Sequence, residues 1–336
     1  MKDLKAISLF SGGLDSSLAT KLIADQGIEI LALHFDNGFQ AGKDGVEVAR
    51  EAAKELGIQL RNESLIDDRA YLQVLKDPDQ GYGSNCNPCT DCRIYMLKKG
   101  KEIMEESGAR FLVTGEVLGQ RPKSQRDKGI LRMIEKRSGL RGLILRPLSA
   151  KLLPETIPEK RGWVDRERLL DLQGRSRGEQ FQLAEEYGLS TFSPPSGGCL
   201  LTEESFCRRL EEAFQNDGRG EMKSEDFQLL RYGRHFRLPD GSKAIVGRDE
   251  EENEALEDFD SLRWRMEVKD FPSPITLIEK EATEEGILLA ARLTARYSQG
   301  RDEDRVTVEL EKDCEKRSLE VEPLAKDQPL IKELRI

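Results

Sequence analysis

Leu9-Phe10-Ser11-Gly12-Gly13-Leu14-Asp15-Ser16-Ser17 follows the apolar residues Ile7, Leu9 and Phe10 and opens an amphipathic helix carrying Leu18, Ala19, Leu22 and Ile23. A buried strand, two glycines and a helix start, in that order, make a cradle for an anion. Glycine lets the backbone turn tightly and approach a ligand, and the free N–H groups of the first helical turn face the anion with the helix dipole behind them. Ser11, Ser16 and Ser17 add hydroxyl donors to the same concavity. Loops ending in Gly-Lys-Ser/Thr place a lysine on the β and γ phosphates. Here Asp15 stands where that cation would act, which predicts a site for pyrophosphate together with magnesium, an ion that favours hard oxygen ligands.

Outward from the cradle, residues 1–60 alternate strand and helix: Ala6–Phe10, Ser16–Asp25, Glu29–Phe35, Gly45–Leu56, and a third strand near Gln59–Glu63. Such alternation predicts an α/β fold, a doubly wound parallel sheet with right-handed crossovers. Ligands in that architecture sit at the carboxyl ends of the strands. The cradle, His34-Phe35-Asp36-Asn37 and Thr114-Gly115-Glu116 all fall on that edge. The backbone near His34 and Phe35 is then a place for adenine, although a lone His34 reads more simply as packing.

The cradle's pattern Ser-Gly-Gly-x-Asp-Ser-Ser, at Ser11 to Ser17, resembles that of the PP-loop ATP pyrophosphatases. The resemblance implies ATP as substrate, adenylation of a substrate oxygen and release of pyrophosphate. ATP contacts are expected at Ser11, Gly12, Gly13, Asp15, Ser16, Ser17, His34, Phe35 and Gly115, with Asp15 positioning Mg2+.

The chain has 336 residues, 35% of them charged and 37% apolar, which is room for two or three heavily charged globular domains. No apolar run approaches the roughly 20 residues of a membrane span, and Met1-Lys2-Asp3 leads into a strand. The expectation is a cytoplasmic protein that makes no membrane contact. The net charge of −10 is uneven: residues 1–200 sum to +1 and 201–336 to −11, while 121–150 alone reach +7. That basic segment, with strand-like Gly129–Glu135 and Leu143–Leu145 inside it, is either a solvated face or an anion surface for RNA or phosphates. A local site survives the overall acidity because the Debye length is about 8 Å at physiological salt.

Four of the six cysteines are grouped. Asn85-Cys86-Asn87-Pro88-Cys89-Thr90-Asp91-Cys92 lies in a Gly/Asn/Pro-rich loop ahead of a helix at Ile94–Ser107, and Phe192-Ser193-Pro194-Pro195-Ser196-Gly197-Gly198-Cys199 presents one more cysteine. Cys-x2-Cys-x2-Cys lets thiolates converge on one ion or cluster from a turn. Cys207 reads as a small apolar residue on a helix over Glu203–Phe214, and Cys314 as incidental.

Asn87-Pro88-Cys89-Thr90-Asp91-Cys92, Thr114-Gly115-Glu116 and Gly188-Leu189 followed by Gly198-Cys199 match, in order and approximate spacing, the motifs of the tRNA thiouridylases, chiefly the 2-thiouridylase group. Two departures stand out: Glu116 replaces a histidine, and Cys89 replaces a carboxylate. The second makes Cys89, Cys92 and Cys199 a set similar to that of iron–sulfur-dependent thiouridylases. The resemblance implies a [4Fe-4S] cluster on those three cysteines, Cys92 and Cys199 as catalytic residues with Asp15, and tRNA as partner. A persulfide relay between Cys92 and Cys199, and structural zinc through Cys86, Cys89, Cys92 and Cys199, stay open, as does the role of Cys86. The sulfur donor, sulfide or a cysteine desulfurase relay, is left open too, and so is the oligomeric state, a homodimer included.

The composition changes after Asn216-Asp217-Gly218-Arg219-Gly220, which places a thiolation domain at 1–215 and a second, α+β domain at 221–320. Arg234–Leu238 and Lys243–Arg248 read as a hairpin, Asp249–Asp260 as an acidic segment and Glu284–Tyr297 as a helix. Gly233-Arg234-His235-Phe236, Gly247-Arg248-Asp249, Asn253 and Ala290 to Tyr297-Ser298 are similar to the RNA-binding domain of the NFACT proteins. That resemblance offers Arg234, His235, Arg237, Lys243 and Arg248 for RNA contact and Tyr232 or Phe236 for stacking.

Overall fold

Lys5–Leu9 is β1, and its apolar residues Ala6, Ile7 and Leu9 are buried on both faces, as a central parallel strand requires. The computed structural model describes residues 4–40, 45–192, 198–259, 263–312, 315–326 and 328–336. Ser193 to Gly197 of the proline-rich entry, Met1 to Asp3, Asp260 and Cys314 lie outside the described residues. The chain divides into two compact units, 1–203 and 204–336. The division precedes the composition change at Asn216.

In the first unit β1 is followed by α1 (Leu14–Ala24), β2 (Glu29–Asp36), α2 (Gly45–Glu55), β3 (Gln59–Ser64), α3 (Arg69–Lys76), α4 (Cys89–Glu106), β4 (Phe111–Thr114), α5 (Lys128–Ser138), β5 (Ile144–Leu145), α6 (Ile157–Lys160) and α7 (Gly178–Glu186). All five strands are parallel in the order β3-β2-β1-β4-β5. The doubly wound sheet anticipated from the alternation is the one observed. Phe10 and Ala32 pack with Ala49, Ala52 and Ala53 of α2 on one face. Leu14, Leu18, Leu22 and Ile23 of α1 pack with Phe111, Val113, Leu145 and Leu189 on the other. Strand order reverses between β1 and β4, which opens the crevice where such folds take ligands.

Two local expectations are corrected. Residues 129–135 are not strand-like but lie within α5. Asp127 caps that helix by accepting from the Ile130 N–H (3.0 Å), Gly139 ends it at φ +70°, and Leu131, Ile134 and Ser138 form its buried stripe. The loop carrying Cys89 and Cys92 is likewise helical, because α4 begins at Cys89 rather than Ile94.

The second unit comprises α8 (Glu204–Ala213), α9 (Ser224–Leu229), β6 (Arg234–Arg237), β7 (Lys243–Val246), α10 (Glu250–Glu257), β8 (Arg263–Val268), β9 (Thr276–Glu279), α11 (Glu284–Tyr297), β10 (Val306–Lys312), β11 (Glu315–Val321) and α12 (Pro329–Leu334). Its strands form an antiparallel sheet ordered β11-β10-β8-β9-β7-β6. α11, capped by Thr283, buries Ile287, Ala290, Ala291 and Leu293 in a core with Trp264, Met266, Ile278 and Val308. The acidic segment folds into α10, capped by Asp249, so the acidic residues Glu250, Glu251 and Glu252 sit at the positive end of a helix. Among the described residues no helix is long and apolar enough to cross a membrane.

Replacing Asp127 by Ala removes the α5 cap and should lower unfolding stability by about 1 kcal/mol. Urea unfolding followed by circular dichroism measures it; an unchanged midpoint would mean that the cap contributes nothing.

Candidate functional site

The cradle turns on two glycines. Gly12 adopts φ +71°, and a Cβ there would lie 2.6 Å from the Ala49 backbone. A Cβ on Gly115, at the end of β4, would lie 2.6 Å from the backbone carbon of Asp15. The two loops therefore touch through bare backbone at the switch point. Gly13 caps α1 with no side-chain bond, leaving first-turn N–H groups for a ligand. The Ser16 hydroxyl donates to the Gly13 carbonyl (2.8 Å) and lies 3.2 Å from the Ser11 hydroxyl.

Asp15 is held by Gln120, whose Nε2 donates to Oδ2 at 3.0 Å, and by Arg177 at 3.6 Å. Its Oδ1 and the Ser17 hydroxyl are buried and have no partner. Two orphaned oxygens beside free helix N–H groups are what a site for a phosphate and a hard cation leaves in the protein. His34 is 1% exposed; burial lowers its pKa against the opposing pull of the Phe10 carbonyl, to which Nδ1–H donates at 3.0 Å. It is thus a neutral residue with a buried, unpartnered Nε2. The Phe35 side chain is also buried, leaving backbone as its contribution.

The thiols come from two elements. Cys89 and Cys92 are three residues apart on the first turn of α4 and share a face. Cys199 is bound to the carboxyl edge of the sheet by a bridge to Gln40 and by the Leu200 N–H donating to the Phe39 carbonyl (2.8 Å). Cys89, Cys92 and Cys199 are the free thiols of the described residues. Cys199 would feel the charge of Cys89 and Cys92, and Cys92 that of Cys89, while the fully buried Tyr71 places its hydroxyl 3.4 Å from the Cys92 sulfur. Burial pushes the Cys92 thiol up to about 11 against the Tyr71 bond, and the Cys199 thiol up to about 12 against the Leu201 N–H. Cys86 is buried beside the Leu201 carbonyl. Among the described residues no group of three His, Cys, Asp or Glu side chains is arranged to hold a single ion.

Glu116 joins the two halves of the site. It is 2% exposed and accepts from Arg93 Nε (2.9 Å), Arg146 Nε (2.8 Å) and the Thr114 hydroxyl (3.1 Å). Burial alone would raise its pKa, but the two guanidiniums prevail and hold it at about 2. Arg93 follows Cys92, and Gly115 precedes Glu116, so the ion pair fixes the thiol-bearing turn to the loop that touches Asp15. Sequence reasoning placed Glu116 at a strand end and as a departure without a role, and missed Arg93, Tyr71, Gln120 and Arg177; it counted Arg146 in the basic surface, whereas Arg146 is buried on Glu116 and Glu135. A signal did exist for one: a carboxylate at a buried strand end demands a cation.

Arg121, Lys123, Arg126, Lys128, Arg132, Lys136, Arg137 and Arg141 are exposed, and Arg121 is close enough to Cys199 to act on its charge. In the second unit the RNA-contact candidates fare differently. His235 and Phe236 are buried, which rules out stacking by Phe236. Arg237 and Lys243 pair with Glu212 and Asp217. Arg248 pairs with Glu252, and Arg234 lies 4.8 Å over the Tyr297 ring.

Residues 2–151, which hold both Asp15 and Glu116, match the family described as thiamine biosynthesis protein (ThiI). The matched range covers β1 to β5 of the first unit, the cradle included. Residues 233–332 match the NFACT protein RNA binding domain. The chain is 30% identical over 238 residues to a probable tRNA sulfurtransferase of Methanothermobacter thermautotrophicus, covering 70% of this chain and 54% of that one. Over 97 residues it is 41% identical to a 7-cyano-7-deazaguanine synthase of Campylobacter hominis, covering 29% and 39%. The chain thus spans about half the length of the first of these relatives and less of the second. A solved 4-thiouridine synthetase–RNA complex with bound ATP aligns at 22% identity and TM-score 0.39, over 66% of this chain and 53% of that one, too loosely to carry weight. The range matched by the ThiI family holds the cradle; the Cys199 arm lies beyond it.

Two outcomes are expected. Gly12→Ala, forced against Ala49, should weaken ATP binding at least tenfold in equilibrium dialysis. Glu116→Gln leaves the buried Arg146 with Glu135 as its one carboxylate and takes the carboxylate from Arg93, and should cost about 3 kcal/mol at neutral pH. Because the folded pKa of Glu116, about 2, lies below its ordinary 4.5, this contribution is complete above pH 4.5 and is lost as pH falls toward 2. Urea unfolding of both proteins across that range should show the difference shrinking; a pH-independent difference would refute the ion-pair account.

Proposed function

We propose that the chain is an ATP-dependent tRNA uridine thiolase. The observation that carries the reading is the run Asp15, Gly115, Glu116, Arg93, Cys92, which brings an anion cradle and three thiols to one sheet edge. The first-turn N–H groups of α1 with Ser11, Ser16 and Ser17 bind the ATP phosphates, and preorganised donors of this kind stabilise charge developing on phosphate. The uracil carbonyl oxygen attacks the α-phosphorus, pyrophosphate leaves into the cradle, and hydrosulfide at the thiol site then adds to the adenylated carbon and expels AMP. Magnesium fits Asp15, whose Oδ1 is buried without a partner, and would neutralise phosphate charge. The three half-buried thiols, with Cys199 near enough to feel the charge of Cys89 and Cys92, fit a [4Fe-4S] cluster, which would supply an iron site for sulfide. Tyr71 orients the Cys92 sulfur. The basic segment from Arg121 and the NFACT-type domain provide the RNA surface. A cytoplasmic setting goes with this reading.

The similarity to a 7-cyano-7-deazaguanine synthase favours a second reading, a PP-loop enzyme acting on a small molecule. It requires no RNA. Anaerobically purified protein should contain about four irons per chain and absorb near 400 nm. Cys199→Ala should lose that absorbance and at least a hundredfold of thiolation, measured by nucleoside mass spectrometry. A Cys199→Ala protein that thiolates tRNA at the wild-type rate would sink the mechanism, and AMP formation undiminished without RNA would favour the small-molecule reading.

A further inference from the structure

Two buried polar side chains reach the sulfurs of the thiol site. Asn87 stands two residues before Cys89, and its Nδ2 donates to the Cys89 sulfur at 3.1 Å. Tyr71 of α3 brings its hydroxyl to 3.4 Å from the Cys92 sulfur. The Cys199 sulfur takes the Leu201 N–H. Each sulfur thus faces a hydrogen-bond donor, and the donors come from three separate parts of the chain.

The Asn87 amide is held for this contact. An asparagine ahead of a helix ordinarily turns its side-chain oxygen onto the helix N–H groups. Asn87 does not, and α4 begins without a side-chain cap. Its Oδ1 accepts instead from the Asn85 N–H (3.3 Å), and its backbone carbonyl from the Gly83 N–H (2.9 Å). A Cβ on Gly83 would lie 2.4 Å from Nδ2 and 2.5 Å from Oδ1, so the amide is seated against bare backbone. With Oδ1 engaged, Nδ2 is the end that faces sulfur.

A metal-bound cysteine sulfur carries no proton, so the amide and the phenol must both donate to it. Donation to a charged acceptor is the stronger kind of hydrogen bond. It also draws electron density from sulfur, and hydrogen bonds to the sulfurs are among the factors that set the potential of an iron–sulfur cluster. The added electron of the reduced state makes the sulfurs more negative. A donor therefore stabilises the reduced state more than the oxidised one.

We propose that Asn87 and Tyr71 are positioning residues of the thiol site, which fix the Cys89 and Cys92 sulfurs as acceptors and raise the reduction potential of the cluster. The inference rests on the cluster reading given under the proposed function and names the residues that orient and tune its ligands.

Anaerobic titration of the iron-loaded full chain with dithionite, followed by electron paramagnetic resonance, measures the potential. Tyr71→Phe keeps the ring and removes the O–H. At a fixed potential it should lower the ratio of reduced to oxidised cluster about tenfold, which is about 59 mV for one electron. Asn87→Ala should shift the ratio in the same direction. Tyr95 packs its ring 5.5 Å from that of Tyr71, but its hydroxyl donates to Asp68. Tyr95→Phe should therefore leave the potential unchanged, which separates hydrogen bonding from packing. Wild-type protein reconstituted in D2O should show shifted iron–thiolate stretching bands in its resonance Raman spectrum, a readout that needs no variant to fold. Iron-loaded Tyr71→Phe and Asn87→Ala proteins with the wild-type potential, or bands indifferent to D2O, overturn the proposal and leave the cluster reading standing. A wild-type protein that takes up no iron overturns the cluster reading, and the proposal with it.

Discussion

The Glu116 carboxylate, buried between Arg93 and Arg146, is the interaction on which the site depends. A lone carboxylate at that depth would be strongly disfavoured, and so would either guanidinium; together they neutralise each other only in one geometry. Arg146 also reaches Glu135 on α5, so the network spans β4, α4, α5 and the segment after β5. Four pieces of chain that meet nowhere in sequence are thereby fixed at one strand end. Apolar packing could not fix them so closely, since it lacks the directionality of paired N–H···O bonds.

What was legible in the sequence was what is local. The cradle is nine consecutive residues whose strand, glycines and helix read directly, and the alternation through residue 60 gave the parallel sheet. Cys89 and Cys92 were likewise grouped by their spacing, although on a loop rather than on the first turn of α4. Cys199 reaches the same place through a bridge to Gln40, a pairing over 159 positions that no spacing rule contains. The misreading of 129–135 shows the opposite failure. Ile130, Leu131, Met133 and Ile134 fit a helical stripe better than alternation, and the Asp127 and Gly139 caps were present, but the surrounding basic residues obscured both.

The second unit shows how a charge pattern misleads without burial. Arg237 and Lys243 look like an RNA-facing pair on a hairpin, yet both turn to Glu212 and Asp217, residues twenty or more positions earlier. Asp217 belongs to the stretch whose composition reads as a linker. Its carboxylate helps to hold that stretch in the second unit: releasing it would leave the buried Lys243 to Glu212 and would take a partner from Arg237.

Two effects compete at the thiols. The start of α4 places Cys89 and Cys92 at the positive end of a helix, which favours thiolate, typically by 0.3–1 kcal/mol when exposed and up to about 2 when partly buried. Burial opposes it and prevails, leaving Cys92 near 11 and Cys199 near 12. At neutral pH such thiols are protonated and poor nucleophiles, since the thiolate is the reactive form. A persulfide relay would need an added positive charge beside each sulfur to run at a useful rate. A metal centre supplies that charge and removes the mutual repulsion of three thiolates in the same step. The desolvation of Cys92 and Cys199 therefore weighs against free thiolate chemistry at these positions and is compatible with the cluster proposed above.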